Sequence, residues 1–466
     1  MSQSSRSLNP LARLWGKNTD KTTEVMPEEV MGFWRTLLQA IQHLLTASGA
    51  NIVGPILMGI DPGMALFTSG LGTLVYNQMT AIPAYMGTSF SYISVIALVM
   101  ASGWGQATVG GGIIAAGLTS IVIGLVVQKV GWRWINLLMP PVVLAMVVIA
   151  VGLLLAPVAY GQARSNPVLS IITFASGVLL ATRTRKGSWV GTLPIMLAIA
   201  IGYIVALITG QVNLQPVIDA PWFSLPKFFL PVFDGRVILP MILVTATAVL
   251  AEHLGHLKAT GSIVGRDYMP QAGRSLIADG ISNVVSFVGT PSVTYSENIG
   301  AFALTRIYSL RVMKIAGVLA LAAGFMGKLS PMILSIPSGV LGGATFLLFG
   351  MIAWAGFNIF ASEKIDLNNK PNQIIVSAMG TMMIGGIIVE YLRPIVGGIT
   401  ATDIAALPVG AASVMTSLQT FANSMTIGGF ALPGLVAVAL LGMGLNLVLN
   451  WSKIVEAFSS RDTSAA

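Results

Sequence analysis

The sequence predicts an all-α polytopic membrane protein of fourteen transmembrane spans, and three observations carry that prediction. Of 466 residues, 55% are hydrophobic and only 9% charged, where a soluble domain carries about a quarter charged residues. Between Thr36 and Gln128 the only Asp, Glu, Lys or Arg is Asp61. Apolar runs of about twenty residues recur along the chain, each long enough to cross a hydrocarbon layer of roughly 30 Å.

Taken in order, the first half holds runs near 36–58, 64–81, 107–128, 134–156, 167–182 and 188–209, with a weaker, interrupted stretch near 84–102. The second half holds runs near 237–257, 312–334, 337–361, 372–390 and 431–451, with weaker stretches near 274–289 and 292–309. The N-terminus is polar and lacks an apolar core with a cleavage site, so the first span is expected to do the targeting. With that terminus inside, 20 of the 25 basic residues fall in cytoplasmic segments, as the positive-inside rule asks. Both termini are therefore read as cytoplasmic, as tails 1–35 and 453–466. The net charge of +8 is topological, and nucleic acid is not an expected partner. There is no cysteine, which excludes disulfides and thiolate metal sites.

The chain faintly repeats itself. "QHL" at 42–44 returns as "EHL" at 252–254, 210 positions on, and "SFSY" at 89–92 returns as "SVTY" at 292–295, 203 positions on. Seven spans per half is odd, so two such halves must be inverted in the membrane. Inverted repeats with matching broken spans point to a transporter site at the bilayer midplane. The second echo includes the polar stretch "GTPSVTYSENIG", 289–300. Irregular backbone at membrane depth is tolerated only where it is buried in protein or lines an aqueous cavity. A loop outside the bilayer is the plainer alternative.

All three histidines, His43, His253 and His256, lie in the first echo. Glu252 and His256 are spaced i, i+4 and share a helix face. A carboxylate near the centre of a span costs roughly 2.5–3.5 kcal/mol on insertion scales, so it is a functional hypothesis by default. A Glu–His pair that only joins helices is the structural alternative, weakened by a second carboxylate, Glu297, in the broken stretch. His253 lies on another face and reads as structural. For Asp279, helix packing and a link to the site are both open. Two carboxylates, an imidazole and free backbone N–H groups suit a small planar ligand that both donates and accepts. A nucleobase is such a ligand, with Phe90 to stack on. Carboxylate and imidazole also offer a proton a place to sit. The glycine-rich stretches 109–117 and 339–350 suit close helix packing rather than a phosphate loop. "HLGH" lacks the internal Glu of a zinc hydrolase, so neither a metal, a cofactor nor an enzyme activity is expected.

"AEHLGHL" (251–257), "TYSENIGAFALTRIYS" (294–309), "QHLL" (42–45) and "IPAYMGTSFSYIS" (82–94) together resemble the nucleobase–ascorbate transporter family, over about residues 30 to 452. The family signature reads here as Glu297, Asn298, Gly300, Thr305 and Arg306. "ENIG…LTR" with "GTSF" is similar to the bacterial uracil-type branch, whereas purine members tend to carry Gln in place of Glu297. The resemblance implies a seven-plus-seven inverted repeat, and it is part of the reason for counting spans 3, 9 and 10. It implies a core domain (36–128 and 237–334), a gate domain (129–236 and 335–452), and short antiparallel strands in spans 3 and 10. By the same carry-over Glu252 and Glu297 bind the base, and Ser89, Phe90, Tyr295 and Ser296 line the site, chiefly through backbone. His256 and Glu252 would couple the proton, with Gln42, His43, Asn298, Thr305 and Phe349 in support, and a homodimer would form through the gate. Some uracil members have Gly where Ser296 stands and Tyr where Phe349 stands, which bears on pocket width and on the polar network around His256.

The resulting expectation is a proton-coupled symporter of the cytoplasmic (inner) membrane that imports a nucleobase, uracil first, by movement of core against gate. A xanthine or urate permease on the same fold is the nearest rival. A passive channel and an anion transporter are the rivals from other classes. The segment 391–430 is assigned no role.

Overall fold

The computed structural model describes residues 17–19, 24–184, 189–396, 426–427, 430–431, 434–452 and 454–455. Most of the segment 391–430 and most of both expected cytoplasmic tails lie outside the described residues. The described chain is mostly helical.

Helix α1 (Phe33–Met58) ends at Gly59, whose φ of 70° closes the helix in the left-handed region. Asp61, the lone charge of this part of the chain, caps α2 (Pro62–Thr80): its carboxylate accepts from Met64 N at 2.9 Å and from Ser330 Oγ at 2.8 Å. The chain then breaks into strand β1 (Met86–Thr88), a 3-10 turn (Phe90–Tyr92) and the short α3 (Ile93–Ala101). Next come α4 (Gly105–Val130), α5 (Arg133–Leu138), α6 (Pro141–Leu153), α7 (Ala156–Ser165), α8 (Pro167–Arg183), α9 (Trp189–Thr192), α10 (Pro194–Ile208) and α11 (Gln215–Asp219).

The second half opens with α12 (Gly235–Val244), which runs through a π turn (Thr245–Val249) into α13 (Leu250–Val264). Helix α14 (Ala272–Val285) leads to strand β2 (Ser292–Thr294) and the short α15 (Ser296–Thr305). Then follow α16 (Leu310–Ala323), α17 (Leu329–Leu334), α18 (Ser338–Ser362), α19 (Lys370–Val396) and α20 (Gly434–Leu449). Among the described residues, four helical stretches are long and apolar enough to cross a membrane: Gly105–Val130, Pro141–Ser165, Gly235–Val264 and Ser338–Ser362. Helix α14 falls short because it is only 14 residues long and carries Ser275, Asp279, Ser282 and Asn283, all buried.

Strands β1 and β2 pair antiparallel, Gly87 opposite Val293, although 203 residues of chain lie between the end of one and the start of the other. Outside the membrane-spanning helices, residues 25–29 strap the exit of α15. Val25 N bonds the Arg306 carbonyl at 2.9 Å, Tyr308 N bonds the Val25 carbonyl at 2.8 Å, and Leu310 N bonds the Pro27 carbonyl at 3.0 Å. Glu28 pairs with Arg266, just beyond α13, at 2.7 Å. Partial burial pushes the Glu28 carboxyl up, but its hydrogen bond to Arg266, a backbone hydrogen bond and the Arg266 charge together hold it below its ordinary value.

Two helix crossings are made by glycines. Where α4 meets α14, a Cβ on Gly117 would lie 2.5 Å from the Gly280 carbonyl oxygen, and one on Gly124 would lie 2.7 Å from that of Gly273. Where α2 meets α16, a Cβ on Gly70 would overlap the Gly317 carbonyl oxygen, and one on Gly324, just past α16, would lie 2.5 Å from Phe67 Cβ and 3.0 Å from the Gly63 carbonyl oxygen. Such small-residue contacts let backbones approach closely in lipid. Gly280→Ala is therefore expected to destabilise the protein by about 1–3 kcal/mol, the usual cost of overpacking. The check is thermal unfolding in detergent, with Gly350→Ala as control, since a Cβ there meets nothing within 4 Å. Equal melting temperatures for both variants would remove the crossing from the argument.

Candidate functional site

Both broken stretches reach the same place by the same route, strand first and then a short helix. Ser89 precedes the 3-10 turn and α3, and its N–H bonds the Pro291 carbonyl at 2.8 Å. Tyr295 precedes α15, and its N–H bonds the Tyr85 carbonyl at 3.0 Å. The two short helices thus begin at opposite ends of the antiparallel ribbon, and helix N-termini present unsatisfied N–H groups and a positive partial charge.

Tyr295 locks this junction. Its hydroxyl lies 2.9 Å from both Asn51 Oδ1 and the Thr88 carbonyl, and can donate to either. Asn51 Oδ1 also accepts the Thr88 N–H at 3.1 Å. The Tyr295 ring lies flat against Gly87, where any side chain would overlap it.

Carboxylates stand on either side. Glu252 lies on α13 just past the π turn and accepts from Ser91 Oγ at 3.0 Å. Glu297, in the first turn of α15, accepts from Ser296 Oγ at 3.2 Å. His256 Nδ1 lies 3.2 Å from Thr294 Oγ1 on β2. Glu252, His256, Ser296 and Glu297 are half-buried, while Ser89, Phe90, Tyr295 and Asn298 around them are buried. Polar groups that stay partly accessible amid such neighbours can be reached by a small molecule. The Ser89 hydroxyl is buried without a protein partner among the described residues, as a ligand-facing group would be. Phe90 meets Phe349 of α18 edge-to-face, ring centroids 6.1 Å apart.

The expected Glu252–His256 contact takes another form. Although both residues share a face of α13, each side chain reaches across to a broken stretch, Glu252 to Ser91 and His256 to Thr294, and the two carry no ion pair among the described residues. His253 belongs to a separate buried set: its Nε2 lies 2.8 Å from Ser275 Oγ and its Nδ1 lies 3.6 Å from Asp279 Oδ1. Asn298 braces α15 against α1, with Nδ2 2.9 Å from the His43 carbonyl and 3.1 Å from His43 Nδ1. Gln42 points away, donating to Thr192 Oγ1 at 2.9 Å, and Thr305 bonds its own helix at the Ala301 carbonyl. Asn51 and Ser91 are the residues at this site that sequence reasoning did not single out. Their signal was only that they are polar residues in or beside the QH and SF motifs.

A helical membrane protein whose broken helices converge on partly accessible carboxylates is built as a transporter. Residues 35–394 match the model of the family described as "Permease family", the xanthine–uracil permeases, and the chain belongs to that family, the nucleobase–ascorbate transporters. It is thus a permease and not an enzyme. It is 34% identical to the uracil permease of Bacillus subtilis over 449 residues, covering 90% of this chain and 94% of that protein. It is 37% identical to the uracil permease of Bacillus caldolyticus over 388 residues (79% and 88%). The putative pyrimidine permease RutG of Escherichia coli is 37% identical over 386 residues (78% and 85%). Among solved structures, the transmembrane domain of the cyanobacterial bicarbonate transporter BicA aligns with TM-score 0.55 at 15% identity, covering 88% of this chain and 96% of that one. SLC26A9 aligns with TM-score 0.58 at 12% identity, covering 89% and 65%. These two likenesses bear on the fold alone.

Proposed function

We propose that this permease is a proton-coupled symporter that imports uracil across the cytoplasmic membrane. The observation that carries the reading is the placing of Glu252 and Glu297, both half-buried, beside two helix N-termini. Carboxylates accept the ring N–H groups of the base, and backbone N–H groups at the helix starts donate to its carbonyls. Phe90 supplies a ring face, and Phe349 closes on it from α18. Glu297, where purine carriers of the family tend to have Gln, favours uracil over xanthine, in keeping with the printed names of the relatives.

The fourteen-span inverted repeat is supported by the glycine crossings. Gly63 and Gly70 of α2 recur 210 positions later as Gly273 and Gly280 of α14, and Gly117 and Gly124 of α4 recur 200 positions later as Gly317 and Gly324 of α16. The crossing of α2 with α16 is thereby the counterpart of the crossing of α14 with α4. In this reading α1–α4 and α12–α17 form the core, and α5–α11 with α18–α20 form the gate. Gln42–Thr192, Phe90–Phe349 and the ion pair Lys258–Glu363 span the boundary that an elevator movement would break and remake. Homodimerisation through the gate and cytoplasmic termini rest on the family and on the distribution of basic residues.

Equilibrium binding of uracil to the purified protein tests the site, with other unlabelled bases as competitors. Glu297→Gln keeps size but turns one acceptor into a donor facing a ligand N–H. Loss of a charge-assisted bond of about 1.5–3 kcal/mol predicts affinity roughly ten- to a hundredfold weaker. Wild-type affinity in that variant would place the site elsewhere.

A further inference from the structure

We propose that Asn77 and Asn283 are positioning residues for the substrate site, each carboxamide standing in for a missing neighbouring strand and holding one outer edge of the β1–β2 ribbon. The inference rests on the reading that this ribbon frames the substrate.

A two-stranded ribbon has two open edges, along which alternate residues turn their peptide N–H and C=O outward. In a membrane interior those groups must be satisfied by protein. Tyr85 and Ser89 bond across to β2 and its flank, so the alternate residues Ala84 and Met86 face out. Met86 is met by hydroxyls, its N–H by Thr73 Oγ1 at 2.9 Å and its carbonyl by Ser69 Oγ at 2.5 Å. Ala84 is met at both groups by Asn77: its N–H lies 3.2 Å from Oδ1 and its carbonyl 2.6 Å from Nδ2. On the other edge Ser292 is met by Asn283 in the same way, N–H to Oδ1 at 2.8 Å and carbonyl to Nδ2 at 2.9 Å. A carboxamide is the side-chain group that offers one donor and one acceptor with the spacing of a peptide.

The second amide hydrogen of each Asn is also spent alike. Asn77 donates to the Thr73 carbonyl at 2.7 Å and Asn283 to the Asp279 carbonyl at 3.0 Å, four residues back in each helix. That bond pins the side chain so that the remaining donor and the oxygen point at the strand. Both residues are buried, at 1% and 3% exposure, so no water competes. Asn77 and Asn283 stand 206 positions apart, as do Ser89 and Tyr295, the residues at which strand gives way to helix. One clamp therefore acts on each broken stretch, and together they set the aim of the helix N-termini at the ligand.

The test is Asn283→Leu, which keeps the volume and removes the amide, read by uracil binding and by hydrogen exchange on the purified full-length protein. We expect affinity to fall on the order of tenfold, as for loss of one oriented hydrogen bond to ligand, with faster exchange confined to residues 290–296. Asn77→Leu should do the same to residues 84–90. Asn283→Gln should recover part of the affinity, and it becomes the primary readout if the Leu variant does not fold. Wild-type affinity in folded Asn283→Leu protein overturns the proposal, and so does faster exchange spread evenly over α4 and α18. Glu297→Gln in the same assay separates the two readings. Loss there with none in Asn283→Leu sinks the clamp alone, whereas no loss in Glu297→Gln sinks the site.

Discussion

Glu252→Gln should abolish concentrative uracil uptake, with initial rates at least about a hundredfold down. On the proposed reading the variant removes two things at once. It takes one charge-assisted ligand bond, of the order of 1.5–3 kcal/mol, and it takes the carboxylate that a proton can ride on. Glu252 is suited to the second role by its place: half-buried on α13, with Ser91 Oγ donating to it and no cation in an ion pair with it among the described residues. A carboxylate so placed can change protonation as the site changes access. Wild-type uptake should accordingly rise as external pH falls and collapse with an uncoupler. Residual uptake by Glu252→Gln should ignore the uncoupler. Accumulation by the variant that an uncoupler still collapses would put the proton on another group.

Gly87→Ala should be nearly as damaging, although it adds a single methyl group. That methyl would overlap Cζ of the Tyr295 ring and lie 2.5 Å from Cε2 and 2.8 Å from the hydroxyl oxygen. The ring cannot retreat, because it is buried at 4% exposure and its hydroxyl is held between Asn51 and the Thr88 carbonyl. The strands must part instead. Overpacking costs about 1–3 kcal/mol, and each ladder bond strained adds roughly 1 kcal/mol. Uracil affinity should fall about a hundredfold if the loss reaches some 2.7 kcal/mol at the site, and melting temperature should drop with it. Combining Gly87→Ala with Tyr295→Leu, which clears the ring, should recover stability but not binding. Normal binding by Gly87→Ala alone would mean that the strands can separate without disturbing the ligand.

Much of this was legible in the sequence because the bilayer is a harsh solvent. A stretch such as 289–300 is costly in lipid, and its polarity alone marked it as lying inside protein or outside the membrane. It lies inside, as β2 and the first turn of α15. Glu252 and Glu297 stood out for the same reason. Hydropathy failed at α14, whose Ser275 and Ser282 bond neighbouring helices and whose Asn283 bonds strand β2. The letter match of "SFSY" with "SVTY" sets Ser89 against Ser292, whereas strand gives way to helix at Ser89 and at Tyr295, 206 positions apart, because backbone course and not side-chain identity sets where a strand becomes a helix.

By itself, then, the sequence determined that the chain lives in a membrane, that polar groups are concentrated at two interrupted stretches, and which carboxylates are too costly to be incidental. Those are properties of residues against a solvent, and they do not depend on partners. Partners were decided only by the tertiary structure. Helical spacing put Glu252 beside His256, yet Glu252 meets Ser91, 161 positions away, and His256 meets Thr294. Gly87 lies against Tyr295, and Asn283 against the edge of β2, through contacts that no local pattern encodes. A hydrogen bond needs its two groups within about 3 Å and in line, and in a chain that crosses itself so often only the packed fold settles which groups come that close.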